Sequence, residues 1–205
     1  MKTKLTARET HLKIRGEILD LLAGAAFPFM LMLILSATVI GFISYGGKED
    51  IALKAVILVA GELLLVAATV IFGKQNGASA YKKSIQNGTK REAGSQELKV
   101  VLRVGEYALW KGIVIPLIVC VPFIIINIIY SAAPNKACEF IMFYMFGWAY
   151  YPFGLMNLSP WLNFIWVIPY VAVHAGAYVY GGKTERKKQE IIANQNEITA
   201  KCGKK

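Results

Sequence analysis

Four blocks of this chain carry one charge or none over lengths that match the hydrocarbon of a bilayer. Leu21 to Tyr45 and Gly112 to Pro134 contain no Asp, Glu, Lys or Arg. Ala55 to Phe72 is interrupted only by Glu62, and Phe140 to Gly182 is uncharged throughout. An apolar helix needs about 20 residues to cross a membrane. Inside lipid every backbone polar group must be satisfied within the protein, and a helix does this locally. The composition agrees: 56% of residues are apolar, and the charged ones gather between the blocks instead of alternating with them as in a soluble domain. The expected fold class is all-α, a polytopic transmembrane helical bundle with four spanning helices at about 21–45, 51–73, 111–133 and 161–182, five being the alternative.

The last block holds the ambiguity. Phe140 to Phe153 offers only 14 residues before Gly154, Asn157 and Pro160 intervene, and Trp148, Tyr150 and Tyr151 crowd it. A short aromatic segment suits an interfacial or re-entrant helix better than a crossing. Residues 138–159 are therefore expected to form an outer interfacial segment, with the final span after it. Pro28, Pro116, Pro122 and Pro169 fall inside blocks and are expected to kink their helices, because neighbours in a bundle can satisfy the freed carbonyls.

Charge sets the orientation. Lys and Arg number five in residues 1–19, seven in 74–110 and seven in 183–205, whereas the loops at 46–50 and 133–139 hold only Lys48 and Lys136. The positive-inside rule places the three rich segments in the cytoplasm of a cell membrane protein, with both termini inside. Four spans satisfy that pattern, while five would put the basic tail outside. The net charge of +10 is thus first a topology signal. The first 20 residues lack the short apolar core and cleavage site of a signal peptide, so the first span is expected to be retained. Cys120, Cys138 and Cys202 fall in mid-membrane, outside and inside on this topology, and no disulfide within one chain is expected.

Three segments border the inner leaflet. Residues 1–19 form an amphipathic segment in which Thr6 and Glu9 fit a capping box, and its helix is expected to run into the first span. In the loop 74–110, a polar stretch is followed by Leu98, Val101, Leu102, Gly105, Ala108 and Leu109 at helical spacing, which predicts an amphipathic helix leading into the third span. Residues 183–205 form a basic tail, read as a helical extension. The partners implied are the bilayer itself and anionic lipid at the cytoplasmic face, worth roughly 1 kcal/mol per basic residue near the surface. A second copy of the chain, or another membrane or cytoplasmic protein, is a further candidate. Nucleic acid is not, since topology already explains the charge and no aromatic and basic binding module is present.

Glu62 is the most informative single residue. A charge at the middle of a span costs several kcal/mol on insertion scales, so the side chain is expected to face other helices and to be neutral, paired or in a water-filled cavity. No cation lies within a turn of it. His174 on the last span is the expected partner, placed within roughly 5 Å of the same depth because spans two and four run in the same direction. His174 belongs to a stripe, Asn163, Trp166, Tyr170, His174 and Tyr178, that shares one helix face. Ala172, Ala175, Gly176 and Ala177 allow close helix approach around it. Ser36, Thr38 and Asn127 add polar groups from spans one and three. The candidate intramembrane polar site is accordingly Glu62, His174, Tyr170 and Asn127. It is either a set of interhelical hydrogen bonds, averaging near 0.6 kcal/mol each, or a site that handles protons or ions.

No motif assigns chemistry. Gly182-Lys183-Thr184 lacks the first glycine and the strand of a phosphate-binding loop. His11 and His174 are too far apart for a zinc site, and no serine sits in the strand–elbow–helix setting of a hydrolase. No catalytic residue, cofactor or metal is assigned. Two classes of function remain: a small transporter, channel or transporter subunit with a midplane Glu/His site, and a non-catalytic membrane adaptor or assembly factor acting through its basic cytoplasmic surfaces. A membrane enzyme is a distant third.

Overall fold

The computed structural model describes residues 7–45, 51–93, 105–155 and 158–202. In chain order these form α1 (Ala7–Tyr45), α2 (Ile51–Ala93), α3 (Lys111–Ala132), α4 (Lys136–Met145), α5 (Gly147–Leu155), a 3-10 segment (Pro160–Trp166) and α6 (Val167–Cys202). No strand occurs among the described residues. Four stretches are long and apolar enough to cross a membrane: Thr10–Ser44, Ala52–Asn87, Lys111–Ala132 and Pro160–Asn196. The outer surface agrees, because large apolar side chains point away from the bundle, with Leu63 66% and Ile168 72% exposed. Water would penalise such a surface and lipid would not. The chain is a multi-pass helical membrane protein.

Several elements differ from expectation in extent. α1 is continuous from the polar N-terminal segment through the first span, as expected, while Thr6 of the capping box lies outside the described residues. α2 does not stop near Phe72 but continues as helix through the polar residues 74–93. The amphipathic helix expected before the third span falls largely on residues 94–104, outside those described. Its last part is not helical. Gly105 has a φ of +78°, the left-handed region where a helix ends. Tyr107 then donates its backbone N–H to Ser84 Oγ at 2.8 Å instead of to a helical carbonyl. Pro28, Pro116 and Pro122 lie inside helices. Pro169 instead lies in the first turn of α6, directly after the 3-10 segment, a position where proline is well tolerated. α6 carries the basic tail as helix to Cys202.

α2 and α6 form the closest pair and run in the same direction. Gly73 of α2 faces the His174 carbonyl and Ala177, Gly77 faces the Tyr178 carbonyl, and Gly181 of α6 faces the Lys74 carbonyl. Further along, Lys82 lies 3.9 Å from Glu185. Gly73 and Gly77, four residues apart on one helix face, let the two backbones touch, the packing by which helices associate when lipid offers no hydrophobic drive. Ala177 is buried in this contact as expected, whereas Gly176 faces open space.

α4 and α5 form a short hairpin. At 10 and 9 residues each arm is about 15 Å long, half of a hydrocarbon core. The rings of Phe143 and Tyr151 meet across the arms at 5.7 Å. The joint is buried: Phe146 is 1% and Ala149 0% exposed, and Phe123 of α3 packs on both Phe146 and Trp148. Gly147 donates its backbone N–H to Ser36 Oγ of α1 at 2.8 Å. Ser36 is nine residues before Tyr45, so the tip reaches about 13 Å into the bundle from that end of α1. A Cβ on Gly147 would lie 2.7 Å from the Ile40 side chain. Gly147→Val is expected to lower stability by about 1–3 kcal/mol, and adding Ile40→Ala should restore part of it; thermal unfolding of the detergent-solubilised protein measures both.

Candidate functional site

Polar side chains collect at three levels of the bundle, and each has its own set of elements. Farthest from the α1 end at Tyr45, the start of α3 meets α1 and α2. Lys111 Nζ, with a side chain only 2% exposed, lies 2.6 Å from Glu17 and 3.3 Å from Asp20. Asp20 also takes Lys83 of α2 at 2.8 Å. Asn76 donates to the Gly24 carbonyl at 3.2 Å. These groups border a cavity of about 180 Å³ whose lining includes Asp20, Asn76, Ser79, Lys83, Lys111 and Tyr178. The turn after Gly105 closes over it, with the Tyr107 ring stacked on Tyr178 at 5.2 Å. Two carboxylates balance two ammonium groups here, so the cluster is a charge-compensated brace between three helices.

At the other end, Asn163 Nδ2 donates to Asn127 Oδ1 at 3.0 Å, and Asn127 Nδ2 donates to the Pro160 carbonyl at 3.2 Å. Both asparagines are buried. The clasp holds the 3-10 segment against α3 through the first carbonyl of that segment.

Glu62 lies between these levels. The Gly61 beside it lacks a Cβ that would meet Val39, and this lets α1 approach α2 closely. A cavity of about 60 Å³ opens on its α6 side, lined among others by Glu62, Thr69, Trp148, Trp166, Tyr170 and Val173. A smaller one lies on its α1 side, bordered by Met32, Ser36 and Trp148. Trp148 is delivered by the hairpin tip, and its ring lies 5.9 Å from that of Tyr170. Glu62 Oε1, Trp148 Nε1 and Trp166 Nε1 are buried and have no hydrogen-bond partner among the described residues. One carboxyl and two indole donors thus border a single cavity that is otherwise apolar apart from the hydroxyls of Thr69 and Tyr170. Apolar walls suit the protonated carboxyl, and indole N–H groups can support the ionised one.

Of the four residues that the sequence singles out, only Tyr170 joins Glu62. His174 does not pair with it. The His174 Nδ1 meets the Gly112 carbonyl at 3.1 Å, and its backbone lies against Gly73, eleven residues and about 16 Å of helix rise from Glu62. The two helices are parallel as expected, but they are offset so that Trp166 and Tyr170, not His174, stand opposite Glu62. Asn127 belongs to the clasp. The expected stripe does turn inward, with Asn163, Tyr170, His174 and Tyr178 all buried. Ser36 holds the hairpin, whereas Thr38 is exposed and bonds only to the Ile34 carbonyl of its own helix. Trp148 and Lys111 were not singled out. The signal for Lys111 was available, since Glu17 and Asp20 interrupt a basic segment and Lys111 opens an apolar block. Among the described residues no three His, Cys, Asp or Glu side chains gather as metal ligands. Compared with known protein families, curated proteins and solved structures, the chain matches none.

Proposed function

We propose that this protein moves protons or cations across a cell membrane through a site centred on Glu62. One observation supports the reading above the rest: a carboxyl oxygen deep in a membrane bundle, buried and without a partner among the described residues, beside two equally unpartnered indole donors. A carboxyl kept only as helix glue would be expected to have a partner, as Asn127 does through both atoms of its amide. Intramembrane ionisable groups facing a cavity are the usual carriers of proton and ion paths. On the charge rule, Lys83, Lys111 and both termini lie on the cytoplasmic side. The hairpin α4–α5 then enters from outside and ends near mid-membrane, a re-entrant element that brings Trp148 to the carboxyl. Non-crossing backbone of this kind is tolerated where protein surrounds it.

The test is flux. Reconstituted in liposomes holding a pH-sensitive dye, the chain is expected to dissipate an imposed gradient, and Glu62→Gln should slow this at least tenfold without reducing the amount of protein inserted. An undiminished flux in that variant removes Glu62 from the path. Absence of flux in the unaltered chain favours the second reading, a membrane adaptor. That reading has its own support in the helical tail of α6, where Ile191, Ile192 and Ile198 are about half exposed or more (56%, 48% and 62%) beside Lys187 and Lys188.

A further inference from the structure

The mouth of the cavity beside Glu62 lies between α2 and α6 on surface that faces lipid. Val66 and Pro169 border it and are exposed, and so are their apolar neighbours Leu63, Val70 and Ile168. A molecule reaching Glu62 by this route partitions first into the bilayer, so it must carry a large apolar body. At the base it meets one acid and no basic side chain. The walls are the rings of Trp148, Trp166 and Tyr170. Indole and phenol faces attract cations, the more strongly where water is excluded. At about 60 Å³ the cavity offers several times the space one water needs, enough for a compact head group whose apolar remainder stays in the lipid.

We infer that this lateral cavity is a binding site for a lipophilic organic cation, of the quaternary ammonium or phosphonium class, whose charge is met by Glu62 and whose substituents lie against Trp148, Trp166 and Tyr170. The inference rests on the role proposed for Glu62 and names a cargo class for it. A neutral apolar molecule gains nothing from the carboxyl, and an anion is repelled by it. A small hydrated cation entering by this mouth would first have to shed its water into lipid.

Equilibrium dialysis of hexyltrimethylammonium, a compact quaternary head on a short apolar chain, against the full chain in detergent tests this. Saturable binding near one per chain is expected, weakened at least tenfold by Glu62→Gln and retained within a few-fold by Glu62→Asp. Val66→Trp, at a position 47% exposed and so tolerant of bulk, should block the mouth and weaken binding similarly. Its neutral carbon isostere, 2,2-dimethyloctane, serves as the control. Binding of the neutral compound as tight as that of the cation, or cation binding indifferent to both Glu62→Gln and Val66→Trp, overturns the inference. No saturable binding of the cation also overturns it. A Glu62-dependent proton flux that persists in that case leaves the transport reading standing, with the proton as cargo. Loss of flux and binding together removes both.

Discussion

Replacing Gly77 with leucine is expected to separate α2 from α6 and to destabilise the protein by about 3 kcal/mol, the upper end of the usual cost of overpacking. The reason is what the new side chain would strike. A Cβ at Gly77 falls on the carbonyl of Tyr178, and one at Gly181 falls on that of Lys74. A rotamer change can relieve a clash with a flexible side chain, as at Gly147 against Ile40, but backbone cannot step aside without moving its helix. Gly176 supplies the internal control. It lies on α6, the other helix of this pair, one turn before Tyr180, and nothing stands within 4 Å of its missing Cβ. Gly176→Leu should leave the unfolding temperature nearly unchanged, while Gly77→Leu lowers it sharply. Equal effects of the two would mean that helix propensity, and not the contact, sets the response.

The second large effect is expected at Lys111. The double variant Glu17→Gln, Asp20→Asn strands an ammonium group whose side chain is 2% exposed, whereas the two carboxylates it removes are each 20% exposed. Removing the partners of a buried charge costs about 3–5 kcal/mol, since the remaining ion keeps its desolvation penalty and loses its compensation. The asymmetry in burial makes a directional prediction. Lys111→Met alone should cost clearly less, because the carboxylate side chains it frees are less buried than the lysine, at 20% exposed against 2%, and Asp20 retains Lys83 at 2.8 Å. Adding Lys111→Met to the double variant should recover most of the loss, as an apolar replacement of a buried ion cluster often does. Chemical unfolding of the four proteins in one detergent gives the comparison. A triple variant no more stable than the double one would show that the carboxylates act through something other than Lys111.

Both effects lie away from Glu62, and this bears on how its variants are read. The brace at Lys111 and the glycine contact at Gly73 and Gly77 hold the bundle at one level, the asparagine clasp at another. Glu62→Gln touches neither and leaves a side chain of the same shape. A loss of flux in that variant therefore reports on the carboxyl. Trp148 is different, because it packs on Phe123 and Tyr170 as well as bordering the cavity, so its removal would disturb the hairpin too.

The sequence by itself determined the class of fold and the number of crossings. Long uncharged blocks can only be solvated by lipid, and lipid permits only backbone that satisfies itself, so Leu21 to Tyr45 or Gly112 to Pro134 has no alternative to a helix. It also determined which face of α6 turns inward, because a polar residue every three or four positions cannot face hydrocarbon. Register between helices was not legible. Nothing along α2 announces that Glu62 stands opposite Tyr170 and not His174; that offset follows from where Gly73, Gly77 and Gly181 let two backbones touch. The hairpin that delivers Trp148, and the meeting of Glu17, Asp20, Lys83 and Lys111, likewise join residues far apart in the chain. Periodicity reports on one helix at a time. Only packing, in which the smallest residues decide how closely and at what level helices meet, brings a carboxyl from one of them to the aromatic rings of two others.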